Sequence, residues 1–476
     1  MKRGWILALL VVTAGCTVGP DYQPPEMELP GRFPDAPPTV PGTPPAGIAR
    51  WWKVFNDPKL DDIMSLAIES NFDLRIATAR VRQARAQRGV TAAGQYPEVD
   101  VSGSYERYHT SANAIAAQPP GALTLPLGVS GNLYQTGFDA SWEIDIFGGV
   151  RRAVEAADRD IDVAEEDRRD VLVTLMGEVA ENYVELRAFQ AQRAIARRNL
   201  QSQQHTLSLT ENRFKQGIAS ALDAMRARAQ VATTEAAIPL LETAAQHAIR
   251  RLGLLTGREP MTLWNMLMEP QELSLIPPEV PLGLPADLLR RRPDIRRAER
   301  RLAAATARIG VATADLYPKL SLTGLFDLQS ATSGKFFDWP SRFWSIGPTL
   351  VWPIFDAGRI RSNIRVQDAL TEQALLRYQS TVLTSIGEVE DSLTAYRQEQ
   401  HRRAAQADAV DSNRQAAEMS NQLYAQGLID FLSVLQAERD LYTTEDQLAQ
   451  SVRAVSSDFI ALYKAIGGGW EDMEQR

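Results

Sequence analysis

The chain carries one long stretch twice. Residues 151–216 contain no proline and a single glycine, Gly177, and residues 359–426 repeat this with Gly387. Gly177-Glu178-Val179 reappears as Gly387-Glu388-Val389, and 387 less 177 gives an offset of 210. The same offset carries Gln216-Gly217 onto Gln426-Gly427, Thr233-Thr234-Glu235 onto Thr443-Thr444-Glu445, and Leu252 onto Leu462. A constant, gapless offset over so many positions is an internal duplication. Each copy predicts a helix of ~100 Å at ~1.5 Å per residue. That is too long for an ordinary globular helix and predicts a coiled coil or a tube wall.

The start of the chain constrains the compartment. Met1-Lys2-Arg3 precedes an apolar run from Trp5 to Val12 and then Thr13-Ala14-Gly15-Cys16. A basic start, a short apolar core and small residues predict a secretory signal peptide over 1–15, too short to span a bilayer. Cys16 is the only cysteine, so no intrachain disulfide is possible. Its setting resembles the bacterial lipoprotein box, which implies acylation at Cys16 and, with Thr17 after it, sorting to the outer membrane. Cleavage would remove Lys2 and Arg3, leaving 49 basic residues of 51 against 59 acidic ones. That balance argues against nucleic acid as the main partner. From Pro20 to Pro45 ten residues are proline, which predicts that 16–50 is an extended tether. Asp57 then reads as a helix N-cap with Pro58 at the first position. The helix it opens is expected to run to about Gly94, within a first-repeat helical segment at 51–97.

At Tyr96-Pro97 the period changes to two. Val99, Val101, Gly103 and Tyr105 alternate with Asp100, Ser102, Ser104 and Glu106. Beyond a Pro/Gly/Ala-rich loop, Tyr134, Thr136, Phe138, Ala140, Trp142, Ile144 and Ile146 alternate with residues that include Asp139, Glu143 and Asp145. These are strand signals. They predict a hairpin at 98–147, and its repeat at 317–357, where Leu320, Leu322, Phe326 and Leu328 alternate with Ser321, Thr323, Asp327 and Gln329. Tyr317-Pro318 matches Tyr96-Pro97 at an offset of 221, so the first loop is longer by 11. Strands of about ten residues suit a tilted membrane crossing. Four strands cannot close a barrel and an open edge in lipid is untenable. Three chains supply twelve, so the arithmetic predicts a homotrimer. The lumen face would carry Asp100, Glu106, Asp139, Glu143, Asp145 and Asp327, which predicts a cation-preferring pore.

In the first long helix Val154, Ala157, Ile161, Ala164, Val171 and Leu175 form a coiled-coil seam. The polar run from Arg187 to Gln204 predicts water on two sides of the helix. Each long helix ends at a glycine, Gly217 or Gly427, where a left-handed residue costs little. Shorter helices return, at roughly 220–252 and 430–466, and Pro239 is expected to bend the first. The long and return helices thus occupy 148–253 and 358–466. A second-repeat helix is expected at 286–316, and a tail at 467–476.

Several motifs together resemble the TolC-like outer-membrane factors, in particular the lipoprotein channels of RND-type multidrug efflux systems, NodT-type. They are Cys16-Thr17-Val18-Gly19-Pro20-Asp21-Tyr22, Trp51-Trp52, Arg291-Arg292-Pro293-Asp294-Ile295-Arg296, Tyr317-Pro318, Phe355-Asp356-Ala357-Gly358-Arg359 and the two Gln-Gly turns. The resemblance covers nearly the whole chain. It implies a mainly α fold with membrane β: an internally duplicated α-helical coiled-coil barrel plus four strands per chain, closing a twelve-stranded barrel as a trimer. It also implies an equatorial segment at 254–285, a periplasmic adaptor and an inner-membrane RND-type pump. Carried over, Leu432 falls at a position that often forms an apolar periplasmic constriction. Gln436 stands where relatives often carry an acid, and Leu423 and Ala425 where some carry arginines. Asp430 is the nearest carboxylate and the candidate for an acidic ring. The plainer reading makes Leu432 coiled-coil core and Asp430 a helix cap. Gln216, Gly217, Gln426 and Gly427 would dock the adaptor.

Nothing in the sequence calls for catalysis, a metal or a cofactor. His109, His205, His247 and His401 are scattered without zinc spacing. Gly334-Lys335-Phe336 lacks the rest of a phosphate loop. The arginines from Arg290 to Arg301 read as a salt-bridged helix, given Asp287, Asp294 and Glu299 among them. Two alternatives remain at this level: a channel for type I protein secretion, and a structural coiled-coil lipoprotein of the cell envelope.

Overall fold

The structure is a computed structural model, and it describes residues 17–33, 48–111, 129–271, 288 and 290–471. The signal peptide at 1–15 and Cys16 therefore lie outside the described residues, as do parts of the tether, of the first hairpin loop, of segment 254–285 and of the tail. Helices α1 (Pro58–Ser70) and α2 (Phe72–Ala93) lead to strands β1 (Glu98–His109) and β2 (Ser130–Ile144). Helices α3 (Gly149–Lys215) and α4 (Ala221–Leu255) follow, then a single turn α5 (Trp264–Leu267). The second repeat comprises α6 (Pro293–Ala314), β3 (Lys319–Ser330), β4 (Arg342–Val351), α7 (Arg359–Ala425) and α8 (Phe431–Ala465). Both long helices have 67 residues and both return helices 35. The offset of 210 holds at both ends of each. Among the described residues no helix is long and apolar enough to cross a membrane.

The chain forms two compact units. One comprises Arg82–Val163 and Glu299–Leu376 with the N-terminal segment up to Pro25. It holds one antiparallel sheet, order β1-β2-β3-β4, with β1 and β4 as free edges. The predicted extended tether is corrected here, because residues 17–22 are strapped down. Val18 N–H donates to the Phe147 carbonyl at 3.1 Å. Arg152 is buried and donates to the Val18 and Gly19 carbonyls and to Asp21 Oδ1, the last at 2.6 Å. Gly19 lies so close to Gly310 that a Cβ on it would stand 2.4 Å from the Gly310 Cα. Tyr22 donates its hydroxyl to Glu299. Proline denies this segment regular hydrogen bonding, and side chains of the folded repeats take its carbonyls instead.

The other unit, Glu26–Val81, Ala164–Ala298 and Arg377–Arg476, holds the main core. Trp51 stacks on Tyr463 at 5.8 Å between centroids and Phe55 meets Phe459 edge-on at 5.8 Å. Phe33 is buried in the same core, which again removes the tether reading for that part of 16–50. The single helix expected from Asp57 to Gly94 is two. Asp57 does cap α1, accepting from Lys59 N–H. Asn71 breaks the run with ψ 132°, donates its amide to the Leu255 carbonyl at 2.8 Å and caps α2 by accepting from Leu74 N–H. A distant carbonyl decides that break, so local propensity did not reveal it. The return helix continues through Pro239 with 35 residues.

The polar run on α3 is exposed at Arg197, Arg198, Gln201 and Gln204 but dry at three positions. Arg187 is 1% exposed, and Gln190 and Gln203 are buried too. Arg187 donates to the Tyr183 hydroxyl, to Gln190 Oε1 and to the Glu269 carbonyl, while Tyr183 donates to Asp57. Burial is the main force raising the Tyr183 hydroxyl pKa. The arginines of α6 form ion pairs as predicted, but chiefly across to α3: Arg296 with Glu166 at 2.7 Å, and Arg297 with Asp167 and Asp170 at 2.8 Å each.

Candidate functional site

The sheet register sorts the strand residues onto two faces. Val101 sits opposite Phe138, Phe138 opposite Phe326, and Phe326 opposite Trp344. Since successive side chains alternate, one face is apolar across all four strands. It is also bare: Val101, Trp344 and Ile346 are each about 70% exposed (71%, 70% and 69%). Exposed apolar surface of this extent marks a surface that a membrane or another protein covers.

Asp100, Asp139, Glu106, Glu143 and Asp327 all register on the opposite face. Asp100 stands directly across from Asp139, and Ser102 donates to Asp139 at 3.3 Å. Two of the six predicted lumen acids depart from an open acidic wall. Asp145 lies one residue beyond β2 and accepts from the Arg151 N–H at 2.8 Å and its Nε at 3.4 Å, securing the start of α3. Asp327 is 1% exposed, accepts from Gln135 Nε2 at 2.7 Å and lies flat over Gly137. A Cβ at Gly137 would fall 1.6 Å from Asp327 Oδ1, so only glycine leaves room for that carboxylate. Alternation puts Asp327 on the right face but gives no sign of this seat.

In the helical unit each long helix reverses at a glycine. Gly217 has φ 78° and Gly427 φ 77°. Gly217 N–H donates to the Phe214 carbonyl and Gly427 N–H to that of Tyr424, both at 2.9 Å. Of the predicted gate residues, Asp430 caps α8: Ser433 donates to it with its hydroxyl at 2.6 Å and its N–H at 3.0 Å. The Ser433 hydroxyl bond, then the backbone bond, hold this carboxyl below the usual aspartate range. Leu432 is 51% exposed, so within one chain it is not coiled-coil core. Gln436 donates along its own helix to Asp440 at 2.8 Å. The three are not brought onto one another within a single chain.

What holds the second turn together is a set that sequence reading missed. Phe431, Val434, Leu435 and Tyr424 bury one another with Ala227. Arg213 places its guanidinium 4.6 Å from the Tyr424 ring centroid and donates to the Tyr424 carbonyl. One turn deeper, Glu438 is 7% exposed and accepts from Thr206 at 2.8 Å and Asn421 at 3.3 Å. Burial raises its pKa above the ordinary glutamate value. Phe431, Val434, Leu435 and Glu438 keep the three-four spacing of a buried stripe. An acid at the fourth position was the available signal.

Comparison with known proteins gives the same picture. The family model described as outer membrane efflux protein matches residues 63–258 and again 284–468. The pyoverdine export outer membrane protein OpmQ of Pseudomonas putida is 34% identical over 448 residues, covering 91% of this chain and 94% of that protein. Nodulation protein T of Rhizobium leguminosarum bv. viciae is 31% identical over 469 residues, covering 98% and 92%. Among solved structures, the outer-membrane channel OprN superposes with a TM-score of 0.87 at 36% identity, covering 96% of this chain and all of that one.

Proposed function

This chain belongs to the outer membrane efflux protein family, a family of channels and not of enzymes, and on that premise we propose that it is the exit duct of a tripartite efflux pump. In this reading three copies join β1 of one to β4 of the next and close a twelve-stranded barrel in the outer membrane. The helices form a periplasmic tunnel. The leader over 1–15 is removed and Cys16 carries the lipid. A periplasmic adaptor docks on the turns at Gln216, Gly217, Gln426 and Gly427, and an RND-type inner-membrane pump supplies small toxic compounds. Leu432, with Asp430 and Gln436 near it, narrows the periplasmic end.

One observation carries this reading: the four-stranded sheet has two free edges and one bare apolar face. A sheet in lipid must have every backbone donor and acceptor paired, which only closure achieves. Closure within one chain would need β1 beside β4, and they are the outer strands of an open sheet. More copies are required.

The test is the mass and conductance of the detergent-extracted, membrane-fraction protein. A particle of three times 52.7 kDa less the leaders that conducts in a planar bilayer is the expected result. A monomer released from membranes without detergent would end the channel reading. Reversal potentials under a salt gradient then read the lumen. Asp100, Glu106, Asp139 and Glu143 predict cation preference, and an anion preference would remove them from the wall.

A further inference from the structure

The apolar face of the sheet is not uniformly apolar. By the register, every strand residue on that face is uncharged except two. Arg107 lies two residues before the end of β1, and Arg342 is the first residue of β4. Both sit at the hairpin-loop ends of their strands, both on edge strands, and both are exposed. Neither forms an ion pair among the described residues. The loop after β1 adds no acid, since residues 112–128 contain no charged residue.

Arg342 is set up further. Its guanidinium carbon lies 3.8 Å from the centroid of the Trp339 ring. Trp339 is 77% exposed and Phe337 79%. Two short 3-10 turns, Ser333–Lys335 and Trp339–Ser341, shape this loop, and Ser341 ties them by donating to the Lys335 carbonyl at 2.7 Å. Lys335 adds a second cation to the loop. Asp338, its sole acid, forms no ion pair with either.

A bare guanidinium at the edge of an apolar face is costly in a bilayer unless an anion meets it. Arginine, with its planar fork, suits phosphate better than lysine does, and an indole beneath it holds the fork flat. Bare aromatic rings beside it suit the boundary between headgroups and chains.

We propose that Arg107 and Arg342, the latter on its Trp339 platform, bind the headgroup phosphates of an anionic, multiply acylated lipid in the exterior leaflet. The lipid's acyl chains lie along the face that carries Val101, Trp344 and Ile346. This rests on the barrel reading above, which puts the hairpin loops on the outer side.

The experiment uses the purified full-length protein in nanodiscs doped with bis-phosphorylated lipid A, with binding read by native mass spectrometry. Controls are the same lipid stripped of phosphate, and inorganic phosphate as competitor. Conductance of each preparation is read alongside. The wild type should retain the phosphorylated lipid, and Arg107→Gln and Arg342→Gln should each weaken retention about fivefold. Arg342→Lys should recover only part, because it restores charge without the fork. Equal retention by the double glutamine variant, or of the dephosphorylated lipid, overturns the proposal. So does full displacement by inorganic phosphate, which would indicate a free-anion site. Conducting trimers without lipid preference leave the channel reading standing and end this one. Absence of trimers and pores in any bilayer ends both.

Discussion

The two helical turns are copies that chemistry has driven apart. At the first, Arg228 and Glu211 form an exposed ion pair at 2.6 Å. At the same positions of the second repeat, 210 residues on, stand Glu438 and Asn421, a buried acid and its amide donor. Phe214 is 45% exposed, while its counterpart Tyr424 is 5% exposed. Even the caps trade places. Ser220 caps α4 with Asp223 at the third position, whereas Asp430 caps α8 with Ser433 there. One backbone hairpin thus supports two surfaces. The first turn leaves Phe214 and Met225 bare where the second buries Tyr424, under Arg213, and Leu435, while Ile218 and Leu222 are as bare as their counterparts Leu428 and Leu432. Duplication fixes the geometry; which face meets water and which meets a neighbour is set by a handful of side chains.

The comparison can be broken most directly at the paired aromatics. Tyr424→Ala should cost about 3 kcal/mol of local stability by emptying a packed site. Phe214→Ala should stay within about 0.5 kcal/mol, as an exposed position does. Amide exchange over 424–436 and 214–226 reads both, and similar losses would mean that the turns are not differently packed. The glycines come next. Gly217→Ala and Gly427→Ala each incur about 1–2 kcal/mol for a left-handed residue bearing a side chain. The second should cost more, since a Cβ there would stand 3.3 Å from Arg213 Nη2, whereas nothing lies within 4 Å at Gly217. Reversal of that order in thermal melts would dismiss the Arg213 contact.

The smallest effect is a pH dependence confined to the second turn. Burial raises the folded pKa of Glu438 above its unfolded value. The ionised form is therefore penalised in the folded state at neutral pH. As pH falls through the folded pKa toward the ordinary 4.5, the folded state binds its proton first and the turn tightens. Asp430 works in the opposite sense, because its carboxyl is held low by Ser433 and its cap weakens at still lower pH. Glu438→Gln should abolish the tightening in pH-resolved exchange corrected for intrinsic rates. A tightening that survives that substitution would assign it elsewhere.

Sequence carried the architecture far because its punctuation is local. Gly217 and Gly427 end helices where a positive φ is needed, and Pro97 and Pro318 stand where helical turns give way to strands. Alternation also put Asp100, Asp139 and Asp327 on one face correctly. What stayed hidden depends on partners remote in sequence. Asn71 divides a helix because the Leu255 carbonyl reaches it. Arg187 is buried because the Tyr183 hydroxyl, Gln190 and, 82 positions on, the Glu269 carbonyl accept its hydrogen bonds. The proline-rich segment reads as a tether until the carbonyls at Val18 and Gly19 are seen to meet Arg152. The proposed gate positions were legible along the chain, and the plainer reading of Asp430 as a helix cap is what the structure shows, whereas Glu438, the buried carboxylate, was not singled out.

The strapped N-terminal segment has a consequence for the order of assembly. Asp21 finds Arg152 131 positions on, and Tyr22 finds Glu299 277 positions on. Doubling a loop adds only ~0.6 kcal/mol of closure entropy, so distance does not forbid these contacts. It does date them. Residues 18–21 can meet Phe147 and Arg152 as soon as the first repeat is folded, but their seat is complete only when Glu299 and Gly310 of the second repeat are made and folded beside them. An N-terminus settled against Glu299 and Gly310 is therefore a chemical receipt that both repeats are in place.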